Sequence, residues 1–200
     1  MRNVMLDLET LATKQNAVVV SIGAFAFDLD VQTVQAAVKG IPEFRQLGDV
    51  YYAELEMNEQ VKLGRSISAD AVQWWLKQTP DAQRAVTNGD RADVATALQN
   101  FSKFVLRQGE CVIWGNGSDF DNVILGSLYE TFGLSKPWSY GKNRCFRTMK
   151  AACVGQKPKR MGTHHNALDD AIFQTMWLCR MVNQTPRILG YRNDGVMPVA

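Results

Sequence analysis

Two hundred residues, 46% hydrophobic and 21% charged, fit one globular domain over 1–200, with a core over about 1–182 and a tail over 183–200. A net charge of +2 provides no global field for nucleic acid, so any such contact must come from local basic patches. Four cysteines without a C-x-x-C pair, no signal-peptide pattern and no apolar run long enough to span a bilayer predict reduced thiols, a cytoplasmic setting and no membrane partner.

The first ten residues read as a strand that carries two acids, Asp7 and Glu9. Side chains two apart on a strand share a face, so Asp7 and Glu9 point one way with Met5, and Leu6 and Leu8 the other. Residues 17–27 are β-branched and aromatic and predict a long central strand paired to the first. Residues 50–57 alternate and predict a third strand, so the three make an antiparallel meander. Ser68 is a good N-cap for a helix over 69–78 that carries Trp74 and Trp75. Thr79-Pro80 opens a short helix that ends at Asn88-Gly89. Asp90 opens the next, with Val94, Leu98, Phe101 and Val105 at helical spacing and Gly109 closing it. Residues 111–114 predict a short buried strand, 119–132 a helix ended by Gly133, 137–143 a loop and 144–149 a short strand edge. A basic loop follows at 156–163, then a long helix over 166–182 and an irregular tail over 186–200. Strands followed by helices alternating with strands give an α/β fold with a mixed sheet flanked by helices.

Acids stand in three places where a buried element should be apolar. The first is Asp7-Leu8-Glu9. The second is Trp114-Gly-Asn-Gly-Ser-Asp-Phe-Asp121, where a strand ends and a helix begins. The third is His164-His165-Asn-Ala-Leu-Asp-Asp170, at a loop-to-helix junction. Sites of α/β proteins gather at strand ends and helix N-termini, so the three can meet at one sheet edge. Burying like charges together is costly unless a cation neutralises them, and carboxylate oxygens suit Mg²⁺ or Mn²⁺. Taken alone, the first stretch also reads as an acidic strand end open to solvent.

D-x-E on the first strand, then G-N-G-x-x-F-D, then H-x-A-x-x-D, in this order, resembles the DEDDh group of 3′–5′ exonucleases. That group is the DnaQ-like branch of the ribonuclease-H-like superfamily. The fuller pattern, with paired tryptophans in residues 67–78, is similar to the phage exonuclease A type and related bacterial exoribonucleases. The resemblance covers about 1–181. It implies a ribonuclease-H-like sheet, a meander plus parallel strands. It implies that Asp7, Glu9, Asp121 and Asp170 hold two ions of Mg²⁺ or Mn²⁺ and that His165 is the general base. Asp119, Asp169 and His164 are near neighbours that the motif spacing sets aside. Asp169 and Asp170 project about 100° apart on a helix, so only one can face the site. The substrate-binding candidates are Thr10, Leu11, Asn116 and Arg160. Thr10 and Leu11 would meet the terminal nucleotide through backbone amides and an apolar wedge. Lys157, Lys159 and Arg160, with Arg144 and Arg147, either meet phosphates or form a solvated loop.

The residue types suit phosphodiester hydrolysis. Two metals held by carboxylates activate a water and stabilise the leaving oxygen, and a histidine of pKa near 6.5 takes a proton at neutral pH. One tryptophan is core; the other packs near the site or stacks a base. The implied function is a metal-dependent exonuclease that releases nucleoside 5′-monophosphates from a single-stranded DNA or RNA 3′ end. An oligoribonuclease-like enzyme on short RNA and a catalytically silent binding module of the same fold are the alternatives.

Overall fold

The computed structural model describes residues 2–87, 89–153 and 155–185. Five strands form one sheet: β1 (Arg2–Thr10), β2 (Val19–Phe27), β3 (Asp49–Glu54), β4 (Cys111–Gly115) and β5 (Asn143–Cys145). Their spatial order is β3-β2-β1-β4-β5. β1, β2 and β3 are antiparallel, and β4 and β5 run parallel to β1. This is the mixed sheet expected from the sequence. The helices are α1 (Val31–Lys39), α2 (Met57–Lys62), α3 (Ala69–Leu76), α4 (Pro80–Thr87), α5 (Val94–Arg107), α6 (Asp121–Thr131), α7 (Phe146–Ala152) and α8 (Ala167–Gln184).

Alternation along β1 decides which layer each residue joins. Val4, Leu6 and Leu8 belong to a core closed by α5 and α6. Met5 belongs to the opposite core, closed by α1, α7 and α8. Asp7 and Glu9 share the Met5 face, so they point toward α8. All of β2 is buried, as expected of a central strand covered on both faces. Arg65, fully packed, donates to the Ala17 carbonyl and to the hydroxyls of Ser127 and Thr131, tying the approach to β2 to α6.

Several boundaries differ from the sequence reading. The meander is not continuous: α1 and a 3₁₀ turn, Pro42–Leu47, lie between β2 and β3. Asp30 caps α1 and Gly40 ends it in the left-handed region. Residue 57 starts α2 and does not end a strand. There Gln60 is buried and pairs with both backbone groups of Val19, at 2.8 and 2.7 Å. The cap of α5 is Asp93, which accepts from Thr96 N, not Asp90. Ala92 is held by backbone bonds to Glu54 and Glu56, and this keeps the chain extended until Asp93. α6 begins at Asp121, not 119, and residues 146–149 are helical. Ser68 caps α3 and Asn166 caps α8. The tail over 186–200 and Asn88 lie outside the described residues. Among the described residues no helix is long and apolar enough to cross a membrane.

Gly23 of β2, paired with Asp7, is where α8 touches the sheet. A Cβ there would lie 2.1 Å from the Ala167 carbonyl carbon. Gly23→Ala therefore forces the start of α8 away from β1, and with it Asp170. The expected cost is about 1–3 kcal/mol, the usual range for overpacking, together with loss of activity. Gly141→Ala, at a position with nothing within 4 Å, should change neither. Chemical denaturation and a strand-degradation assay on both variants check this.

Candidate active site

The C-terminal ends of parallel β1 and β4 and the N-termini of α6 and α8 converge on one cleft of about 810 Å³. Asp7, Glu9 and Thr10 enter from β1, Asn116 from the end of β4, and His165, Asp170 and Gln174 from the α8 side. α3 supplies Asp70, Ala71 and Trp74.

Each acid is set by its own element. Gly115 lets α6 start against the end of β4, since a Cβ there would sit 2.7 Å from Asn122 Oδ1 and 3.0 Å from Asp121 Cβ. Asp121 is 1% exposed. It accepts from Leu8 N at 3.1 Å and from Asn116 N at 2.6 Å. Asp7 accepts from Gln174 Nε2 at 2.6 Å. Glu9 is 7% exposed. Asp170 accepts from His165 N at 3.0 Å and forms an ion pair with Arg160. Asp169 turns the other way: it accepts from Thr163 N at 2.8 Å and faces Arg45. Asp119 is exposed.

His165 takes a φ of 63°, in the left-handed region where histidine is uncommon but enriched over most residues. Its N–H bond to Asp170 holds that turn. Its ring meets the edge of Trp74 at 4.6 Å, with His164 at 3.8 Å on another side. One ligand atom each from Glu9, His165 and Asp170 lies within 4.8 Å of the others. Trp75 is buried and donates from Nε1 to the Thr10 carbonyl. That bond turns its neighbour Trp74 into the cleft, 42% exposed.

Thr10 and Asn116 line the cleft, and Arg160 reaches it through Asp170. Leu11 does not: its side chain is buried with Val18, Val20 and Trp75, and α4 residues close over it. Gln174 lies outside the sequence motifs. The clue to it is its spacing, one helical turn after Asp170 on the same face.

Burial drives the electrostatics. Asp7 is pushed well above the ordinary carboxyl range, first by desolvation and then by Asp121, Glu9 and Asp170; the Gln174 bond opposes this. Glu9 rises to about 8, through burial, then Asp170 and Asp121, against Arg160. Asp121 rises to about 6 through burial, held back by its backbone bonds. His165 is lowered, first by burial and then by His164. Asn116 Oδ1 and Gln174 Oε1 are buried without a protein partner. Crowded, buried carboxylate oxygens, with Asp7 and Glu9 pushed toward the protonated form, beside unpaired carbonyl oxygens, fit a hard divalent cation.

A family model described as the 3′–5′ exoribonuclease Rv2179c-like domain matches residues 2–182. No curated protein sequence matches the chain. The chain is similar in fold to the nuclease domain of 3′hExo, a DEDDh family member solved with rAMP, at 12% identity and a TM-score of 0.57, over 98% of this chain and 97% of that one. It is also similar to E. coli exonuclease I in complex with a 5cy-dT13 oligonucleotide, at 17% identity and a TM-score of 0.55. That match covers 95% of this chain and 42% of the exonuclease I chain.

Folded Glu9 keeps its proton up to about pH 8, whereas the ordinary value is 4.5. Between these values the folded state binds more protons than the unfolded chain, so stability falls as pH rises through the window. In EDTA, the Tm should drop between pH 5 and pH 8. Glu9→Gln should flatten the drop, and Mn²⁺ should restore wild-type Tm at pH 8 by binding the folded state. Thermal melts at three pH values check this; equal slopes in wild type and Glu9→Gln would count against it.

Proposed function

The chain belongs to the Rv2179c-like 3′–5′ exoribonuclease domain family, and from that premise we propose that it shortens single strands from the 3′ end, releasing nucleoside 5′-monophosphates, with residues 1–182 as its exonuclease unit. Asp7, Glu9, Asp121 and Asp170 hold the metal, Mg²⁺ or Mn²⁺, and His165 is the general base. The observation that carries this reading is the meeting of Glu9, His165 and Asp170 within 4.8 Å, beside Asp7 and Asp121. Two divalent ions bound there supply charge neutralisation and polarise the attacking and leaving oxygens.

The chain's own residues do the rest. Burial keeps His165 neutral near pH 7, so it can accept a proton from water. Asp170 holds the backbone turn that aims the imidazole. Trp74 packs against that ring and limits its motion. Thr10 and Asn116 line the path of the terminal nucleotide, and Arg160 stands ready for its phosphate. The bond that breaks is P–O3′; the upstream strand keeps a 3′-hydroxyl. RNA is the favoured substrate, on the family description. The four cysteines are free thiols, which supports a cytoplasmic setting.

A second reading makes His165 a metal ligand, because its ring nitrogen is within coordinating range of the two acids. One variant separates the two. As a base, His165→Ala should slow single-turnover cleavage by about 10²–10⁴-fold with Mn²⁺ affinity unchanged; as a ligand, it should lose Mn²⁺ affinity as well. Wild-type rate should fall on an acid limb below 6.5, since the His165 pKa is lowered from that value. The assay is degradation of 5′-labelled RNA and DNA strands with Mn²⁺. Absence of a ladder from either strand would sink the exonuclease reading.

A further inference from the structure

Residues 131–168 contain eight lysines and arginines and no aspartate or glutamate. With a net charge of only +2 for the whole chain, the remainder is net acidic, and the positive charge is gathered on one region. Five of the eight, Arg147, Lys150, Lys157, Lys159 and Arg160, lie on α7 and the loop after it, beside α8. Asp170, Phe173 and Trp177 follow one another at helical spacing along α8. Lys150 Nζ lies over Phe146 and Trp177, at 5.0 and 5.4 Å. Lys157 Nζ lies 5.8 Å from both Phe173 and Trp177. The Arg160 guanidinium lies 4.7 Å from Phe173 and pairs with Asp170 in the cleft.

The rings therefore fix a row of cations that starts at the cleft and runs outward along α8. From Asp170 to Trp177 the row spans about 10 Å at 1.5 Å per residue. Cations at this spacing repel one another. The Lys150 ammonium is lowered, first by burial and then by Arg147 and Lys157. No acid of its own segment offsets that repulsion. The ring faces are occupied by ammonium and guanidinium groups, so the surface presents positive charge and not free rings. That chemistry takes phosphates in preference to stacked bases, and it reads no sequence.

We propose that this row is a track for the phosphate backbone of the strand upstream of the scissile bond, leading it to the cleft past Arg160. The inference rests on the exonuclease reading and extends it from the terminal nucleotide to the strand behind it. A 3′ end in the cleft then leaves its upstream phosphates beside Lys157 and Lys150.

The test uses the full chain with Lys150→Gln and Lys157→Gln combined. Binding to labelled single-stranded 20-mers is measured in Ca²⁺ across a range of salt, and turnover is measured separately on a dinucleotide. The double variant should bind 20-mers of any sequence about tenfold more weakly. Its slope of log Kd against log salt should shrink by about 1.4, at about 0.7 for each phosphate that is no longer neutralised. Dinucleotide kcat/KM should stay within about twofold of wild type, because the dinucleotide does not reach the track. Unchanged 20-mer affinity and slope would overturn the proposal and leave the patch to an acidic protein partner. Equal loss on the dinucleotide would also overturn it, as damage to the cleft. A wild type that binds 20-mers but cleaves nothing would remove the exonuclease reading, while 20-mer affinity of the double variant still decides the track.

Discussion

Burial of several carboxylates in one place is the constraint on which this structure turns. Asp7 and Glu9, near the C-terminal end of β1, and Asp121, at the start of α6, all have pKa values pushed upward by burial, and neighbouring acids add to the rise at Asp7 and Glu9. Such a cluster opposes folding unless something compensates. The fold compensates only in part. Asp121 has two backbone N–H groups, Asp7 has Gln174, and Asp170 has one N–H and Arg160. Glu9 is held by burial, with the charge of Arg160 opposing the rise in its pKa. The remaining imbalance is one that a hard cation would relieve.

The close approaches that gather these acids rest on two absent side chains. Without a Cβ at Gly23, the start of α8 lies directly on β2 opposite Asp7. Without one at Gly115, the start of α6 folds back onto the end of β4. Each glycine brings a helix N-terminus, with its positive dipole end, up to the acids. The same junction that crowds the charge thus also offsets some of it.

Much of this was legible in the sequence. The period-2 pattern of β1 placed Asp7 and Glu9 on one face, because alternation is a local property of an extended chain. The cap at Ser68 is decided within three residues, so local sequence suffices for it too. What escaped was set by distant partners. Asp93 caps α5 because Ala92 is pinned to Glu54 and Glu56, bonds that no local pattern announces. Leu11 lies in the core because Trp75, from α3, reaches back to the Thr10 carbonyl. α1 is hard to see although Asp30 and Gly40 frame it, since its Val31–Lys39 stretch carries few strongly apolar residues. Arg160 is legible as a cation near substrate, but its bond to Asp170 depends on how the 156–163 loop returns to α8.

On the proposed exonuclease reading, an acid-lined cleft faces a difficulty with an anionic substrate: its carboxylates repel the strand on approach. Near-zero net charge does not resolve this, because a balanced protein can be acidic at the one place that matters. Segregation does. The acids lie inside, desolvated, at the C-terminal end of β1 and the N-termini of α6 and α8, while Arg147, Lys150, Lys157, Lys159 and Arg160 lie on α7 and the following loop. A strand approaching from that side meets attractive charge first and the acid cluster last, within a Debye length of both. Arg160 stands at the boundary, paired to Asp170 on one side and stacked on Phe173 on the other. Under the proposed function, the same side chain would turn from the acid to the phosphate once a cation neutralises Asp170.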